Sequence, residues 1–360
     1  VPLAIGAAVA VRAKAASPVA AVAPAAVAPT LAPPVADVPV EPAPPPTATV
    51  VEEEPEDDVE PPTLDAQRQR LFAKLQRHHG LSGAAMERVQ AIFAASPILG
   101  QGNPSFVQHP MKRSECRRIR AEAGLVEERD PVCGPDMVPI YNTEAGETPD
   151  EARVCIDQFE FPDIPCEYPV VQVRAREAAE ICEAMGKRLC DAHEWEGACA
   201  GSVRPPEVEY IWGWPRLQAS YAHNVKREKV WAYGAHKNHA LCGTKSPRSP
   251  KCMGGGWTTC GSNTYPTGAF PACQSTFGVF DQHGNAAEHM SLPSRPEEVG
   301  TGEGLTEMKG SWFVFSIIEA HEDDCRFRAP AWHETRVMNA QSHMNYHLGF
   351  RCCKDAAAAE

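Results

Sequence analysis

Hydrophobic positions follow a helical period in only a few stretches of this chain, and long aperiodic stretches separate them. "LDAQRQRLFAKLQRHHG" (64–80) puts Leu71, Phe72 and Leu75 on one face, and Gly80 supplies the stop. Ser82 then opens "GAAMERVQAIFAAS", where Met86, Val89, Ile92 and Phe93 recur at helical spacing. The two stretches predict a helical hairpin over residues 63–100. His78 and His79 close its first helix, where imidazoles favour the negative end of the helix dipole, a reading preferred to a metal site. Further on, "REAAEICEAMG" (176–186) lines up Ala178, Ile181, Cys182 and Met185 and ends on Gly186. "DAHE" (191–194) has the form of a capping box, with Asp191 as cap and Glu194 reaching back. The helix it opens turns Trp195, Ala198 and Cys199 inward and stops at Gly201. Two consecutive helices thus each present a cysteine to the core.

Elsewhere between 103 and 355 no period persists. Short strands, long loops and scattered Gly, Pro, Trp and Cys predict a loop-rich α+β domain, not a βαβ array. The beginning of the chain is different again. Residues 1–62 hold 14 prolines and no cysteine, and the first aromatic residue is Phe72. Such a segment buries too little apolar surface to offset its chain entropy, so a disordered tether is expected. Its acidic run, "VEEEPEDDVE" (51–60), reads as a solvated stretch, with docking as the alternative. "VPLAIGAAVAV" (1–11) is apolar but too short to span a bilayer; as the remnant of a signal peptide or anchor it would make the segment a membrane tether.

A formal net charge of -13, with no clustered Lys and Arg, argues against a nucleic-acid partner. The 14 cysteines lie between Cys116 and Cys353, and no two are spaced C-x-x-C. That pattern reads as a disulfide framework rather than a zinc ribbon, and so as an extracytoplasmic protein, periplasmic or secreted. Reduced thiols in a cytosolic enzyme are the alternative.

Several segments, in order, carry a resemblance: "VCIDQFEFP" (154–162), "GKRLCDAHEWEGACAG" (186–201), "YIWGW" (210–214), "FGVFDQHGNAAEHM" (277–290), "KGSWF" (309–313) and "LGFRCC" (348–353). Together they resemble the formylglycine-generating enzyme family, the sulfatase-modifying factors. The resemblance implies a variant of the C-type-lectin-like fold, disulfide-stapled, over residues 103–355. That fold hosts both enzymes and plain binding modules.

Family members that make formylglycine hold copper through two cysteines after their G-G-S-W motif, and soft thiolates suit Cu(I). In "GSWFVFSIIEAHEDDCRFR" (310–328) those positions fall at Val314 and near Ala320 or His321; only Cys325 remains. The chain is therefore expected to bind no copper and to make no formylglycine. Acting as a tethered module that binds a peptide, protein or glycan is then the leading reading; a structural role in an envelope assembly is a further one. A metal-dependent oxidoreductase of the same family, with non-cysteine ligands, is the alternative, and His321 would be its replacement ligand or base. An exposed acidic loop is the simpler reading of His321–Asp324. His333, His343 and His347 lack the spacing of a recognised metal motif.

The resemblance also implies disulfides Cys182–Cys352 and Cys199–Cys325, which leaves Cys190 and Cys353 as natural partners. Proximity along the chain suggests Cys155–Cys166, Cys242–Cys252 and Cys260–Cys273. Finally, it implies a Ca²⁺ loop with Asp281 and Glu288 as side-chain ligands and Gly284 and Ala286 as carbonyl ligands, plus Asn224 from a second site. Hard oxygen ligands around a tight turn are what Ca²⁺ requires. A metal-free turn held by Asn285 is the alternative.

Overall fold

The computed structural model describes residues 55–126, 129–329 and 335–357. The tether up to residue 54 and His333 lie outside them. The hairpin forms as α1 (Leu64–His79) and α2 (Gly83–Ala95), and Gly80 ends α1 at φ 65°. A further helix, α3 (Arg113–Glu122), lies in a stretch whose charged sequence shows no apolar face. The strands and helices of the main domain follow: β1 (Met137–Ile140), β2 (Val154–Asp157), α4 (Ala175–Ala184), β3 (Arg188–Leu189), α5 (Ala192–Ala200), the single turn α6 (Pro206–Glu209), α7 (Arg216–Lys226), β4 (Ala287–Leu292), β5 (Leu305–Lys309), β6 (Leu348–Phe350) and β7 (Cys352–Asp355).

Two small sheets result. One is antiparallel, in the order β1-β2-β7-β3. The other runs β5-β4-β6, with β4 antiparallel to β5 and parallel to β6. Only Arg351 separates β6 from β7, so the chain passes from one sheet to the other at that residue.

The hairpin docks on the main domain. Leu71, Leu75, Val89 and Phe93 are buried in one cluster with Ala178, Ile181 and Cys182 of α4 and with Phe161 and Phe350. The acidic segment is also docked near its end, which corrects the expectation of a solvated tether through residue 62. Asp57 pairs with Lys74 and Arg117, Asp58 accepts from Ser114, and Glu60 pairs with Arg70 and Arg113. Burying a carboxylate is tolerated where cations meet it, and α1 and α3 supply them.

All 14 cysteines are paired. Cys182–Cys352, Cys190–Cys353 and Cys199–Cys325 staple α4, the β3–α5 link and α5 to distant parts of the chain. The three pairings expected from proximity are not formed. Cys155 joins Cys133, Cys166 joins Cys116, Cys242 joins Cys273 and Cys252 joins Cys260. Proximity along the sequence misled there because the tertiary packing, with β2 holding Cys155, α3 holding Cys116 and loops holding the rest, decides which Cβ atoms face each other. This density of disulfides fits folding in an oxidising, extracytoplasmic environment. No helix among the described residues is long and apolar enough to cross a membrane.

Candidate functional site

The 277–290 stretch enters β4 through a turn of left-handed residues: Asp281 at φ 59°, Gly284 at 83° and Asn285 at 52°. Gly284 is doubly required, since a Cβ there would also lie 2.9 Å from the Gly243 backbone. Asn285 uses both ends of its amide. Its Oδ1 accepts from the Tyr265 amide at 2.8 Å, and its Nδ2 donates to Glu160 Oε2 at 2.5 Å. Glu160 Oε1 accepts the Ala286 amide at 2.7 Å. Arg351 reaches across from between the sheets. Its Nε and Nη2 donate to the two oxygens of Glu288, each at 2.7 Å, and Nη2 also bonds the Phe280 carbonyl at 2.8 Å. Trp195 Nε1 gives Glu288 a further bond at 2.9 Å.

This is a buried knot of three acids around one guanidinium. Burial, then the charges of Asp281 and Glu288, push Glu160 well above the usual carboxylate range. Burial pushes Asp281 up to about 7, against the pull of the Gly268 amide and Arg351. Arg351 is itself raised: burying the cation would lower it, but the charge and hydrogen bonds of Glu288, together with the charges of Glu160 and Asp281, outweigh that cost.

The fit to calcium is therefore mixed, and on balance poor. Asp281 Oδ2 takes the Gly268 amide at 2.5 Å, while Oδ1 is buried without a hydrogen-bond partner and would suit a cation. Glu288 does not suit one, because Arg351 already neutralises both its oxygens. No group of three ligand atoms within 4.8 Å among the described residues includes Asp281 or Glu288. The set Asp281, Gly284, Ala286 and Glu288 thus does not fit calcium in this arrangement, where an ion pair holds the loop. Nor does Asn224. Its Nδ2 donates to the Arg328 carbonyl at 2.9 Å and its Oδ1 accepts the Arg328 amide at 3.0 Å, so the side chain pins a backbone.

The vacated thiol positions have different fates. Val314 is fully buried between Trp312, Phe313 and Phe315, with Tyr346 and Leu348 in the same cluster. Ala320 is exposed. His321 packs among Trp312, Phe315 and Phe327, and its Nδ1 bonds the Glu322 carbonyl at 2.7 Å while its Nε2 has no hydrogen-bond partner. Of the acids after it, Glu322 is exposed, but Asp323 and Asp324 are buried, which corrects the exposed-loop reading in part. Asp324 is buried against Arg227, with contacts from 2.8 to 3.1 Å. Asp323 accepts from Trp231 at 3.3 Å and lies 3.0 Å from His239 Nε2. Burial would raise Asp323, but the His239 hydrogen bond and then His283 and Lys237 together outweigh it and hold the carboxyl below its ordinary value. Behind them His283 is fully buried, 3.3 Å from Cys199 Sγ and accepting the Ala232 amide at 3.1 Å; burial pushes it down to about 4. His347 stacks on Trp312, and neither it nor His343 belongs to a metal-sized group among the described residues.

One surface escaped the sequence reading. On α7, Arg216 and Ser220 are buried, and Arg216 pairs with Glu307 at 2.8 Å. His223 Nε2 and Asn224 meet the carbonyls of Arg326 and Arg328. Those two arginines are themselves bound to Glu209 and Glu196. The outward face is apolar instead. Trp214, just before the helix, and Leu217, Tyr221 and Val225 on it are 55, 61, 71 and 67 % exposed. The helix is amphipathic in the inverted sense, and the spacing of Leu217, Tyr221 and Val225 was a readable signal.

Fold and site define a disulfide-stapled α+β domain whose signature loop is locked by an internal ion pair. Residues 142–356 match the sulfatase-modifying factor enzyme 1-like domain, and the chain belongs to that family. Among solved structures, it is similar to "Crystal Structure of CarF" at 12 % identity and a TM-score of 0.31, over 71 % of this chain and 85 % of that one. It is also similar to the Major Tropism Determinant I1 variant, at 12 % identity and 0.31, over 65 % and 56 %. Treponema denticola variable protein 1 aligns at 11 % and 0.30, over 63 % and 90 %. No curated protein matches the sequence.

Proposed function

We propose that this domain is an extracytoplasmic binding module, held by its N-terminal segment, which engages a peptide or protein through α7 and does not generate formylglycine. The observation that carries the reading is the inverted polarity of α7. Contiguous exposed apolar side chains on a monomer mark interaction sites, and here the buried face is polar, so core packing does not explain the stripe. Against redox chemistry of the family's kind, every cysteine is in a disulfide and the first thiol position is packed inside an aromatic cluster. The two aliphatic members of the stripe favour a peptide over a glycan, although the Trp214 and Tyr221 rings also suit sugar faces.

Peptide and glycan arrays probed with the native protein and with a Leu217→Asp/Tyr221→Asp variant test this. The expected result is peptide binding that the variant loses while its melting temperature stays the same, since both side chains are exposed. Array binding that the variant retains would count against the α7 surface. Conversion of a cysteine peptide to formylglycine by the copper-treated protein under oxygen would overturn the non-catalytic reading.

A further inference from the structure

Where α1 ends, the main domain meets it with an acid. His78 Nε2 lies 3.1 Å and His79 Nδ1 3.7 Å from the same oxygen, Asp136 Oδ2. One ligand atom from each of the three residues lies within 4.8 Å of the others. In a tetrahedral zinc site with bonds near 2.1 Å, ligand atoms stand about 3.4 Å apart, and the two spacings to Asp136 bracket that value. The tautomer agrees. His79 Nε2 is 2.8 Å from the Pro162 carbonyl, which only accepts, so Nε2 carries the hydrogen and Nδ1 presents a lone pair. In that tautomer of the neutral ring, Nδ1 presents its lone pair 3.7 Å from the Asp136 carboxylate oxygen, a pairing that a bound cation would relieve.

Asp136 is also held in place. It sits at φ 60° immediately before β1, its carbonyl accepts the Gln158 amide at 2.9 Å, and Cys133–Cys155 ties its loop to β2. His78 is partly exposed, at 26 % of its side chain, which leaves an entry path.

We propose that His78, His79 and Asp136 form a site for a zinc-class divalent metal, with a fourth position open to water, that clasps the helical hairpin to the main domain. Two imidazoles and one carboxylate suit such ions better than Ca²⁺ or Cu(I). The dipole reading of the histidine pair omitted the partner because Asp136 lies 57 positions away in sequence.

The test is titration of the full, disulfide-intact chain with Co²⁺ and then Zn²⁺. One equivalent of Co²⁺ should give the visible absorption of a tetrahedral ion, and Zn²⁺ should displace it and raise the melting temperature. His78→Gln and Asp136→Asn should each weaken binding by at least ~10-fold, the scale at which even outer-shell losses are felt. His236→Gln, in a remote loop, should not. X-ray absorption of the zinc-loaded native protein needs no variant and should show two imidazoles with oxygen ligands. No uptake, uptake indifferent to both variants, or a shell without two imidazoles would overturn the proposal.

Discussion

At the residue scale, Arg351 ties the signature loop to both sheets. It bridges the two sheets, neutralises Glu288, and caps carbonyls of Asp157 and Phe280. Removing one partner of a buried pair leaves the other charge uncompensated, at about 3–5 kcal/mol. Arg351→Met should destabilise the domain by that order in chemical denaturation. Arg351→Lys should recover only part, since an ammonium does not reproduce the fork that meets both Glu288 oxygens. Asp281 makes a pH prediction. Its folded value is raised, so the native state is favoured while the acid is protonated, below its free value of 3.8, and that advantage is lost as pH rises through about 7. Asp281→Asn should therefore raise the melting temperature at pH 8 and leave it unchanged near pH 4. A calcium loop would behave oppositely: added Ca²⁺ would stabilise the native chain at pH 8, and the variant would lose that gain.

At the scale of elements, the question is what holds the hairpin. Apolar packing does most of it, through Leu75 and Phe93, both fully buried. Leu75→Ala should cost about 2–5 kcal/mol. Hydrogen exchange should show the loss first in α1 and α2. A polar clamp adds to this. Glu167 is buried beneath Lys74 of α1 and Arg113 of α3, with Arg113 Nη2 at 2.6 Å. Burial would raise the Glu167 carboxyl, but Arg113 and then Lys74 outweigh it and hold it far below its ordinary range. For a depressed acid, the stability contributed is present above the free value of 4.5 and is lost as pH falls through the folded value. Glu167→Gln should then weaken hairpin protection by about 3 kcal/mol at neutral pH, and the gap to the native chain should close only below pH ~4.5. Both helices were legible from their apolar period, and so was the Asp191–Glu194 box, where Glu194 accepts the Asp191 amide at 2.8 Å. The charged α3 was not legible, because its inward residues are Arg113, Cys116 and Arg120, and only tertiary partners make burying those arginines tolerable.

At the scale of the molecule, disulfides carry the architecture. Cys199–Cys325 closes 126 residues and Cys182–Cys352 closes 170. Replacing both members of the first pair with serine should cost about 2–5 kcal/mol, and long loops lie toward the upper end in the chain-entropy account. Alkylation of the native protein should find no free thiol, and alkylation after reduction and unfolding should find 14. Free thiols in quantity before reduction would contradict the framework.

The sequence by itself determined the family, the hairpin, the capped α5 and the absence of a second thiol near Val314, because each is written in local period, turn chemistry or residue identity. It placed Asp281 and Glu288 in one loop but could not say whether they face a metal or a guanidinium. That depended on Arg351, which lies 63 positions beyond Glu288 and reaches it only because β6 pairs in parallel with β4. The disulfides chosen by proximity failed for a related reason: which Cβ atoms face each other is set by the tertiary packing of strands, α3 and loops, not by spacing. The outward stripe of α7 and the meeting of His78, His79 and Asp136 are likewise properties of the packed chain, since which face of a helix is buried is decided by what it packs against.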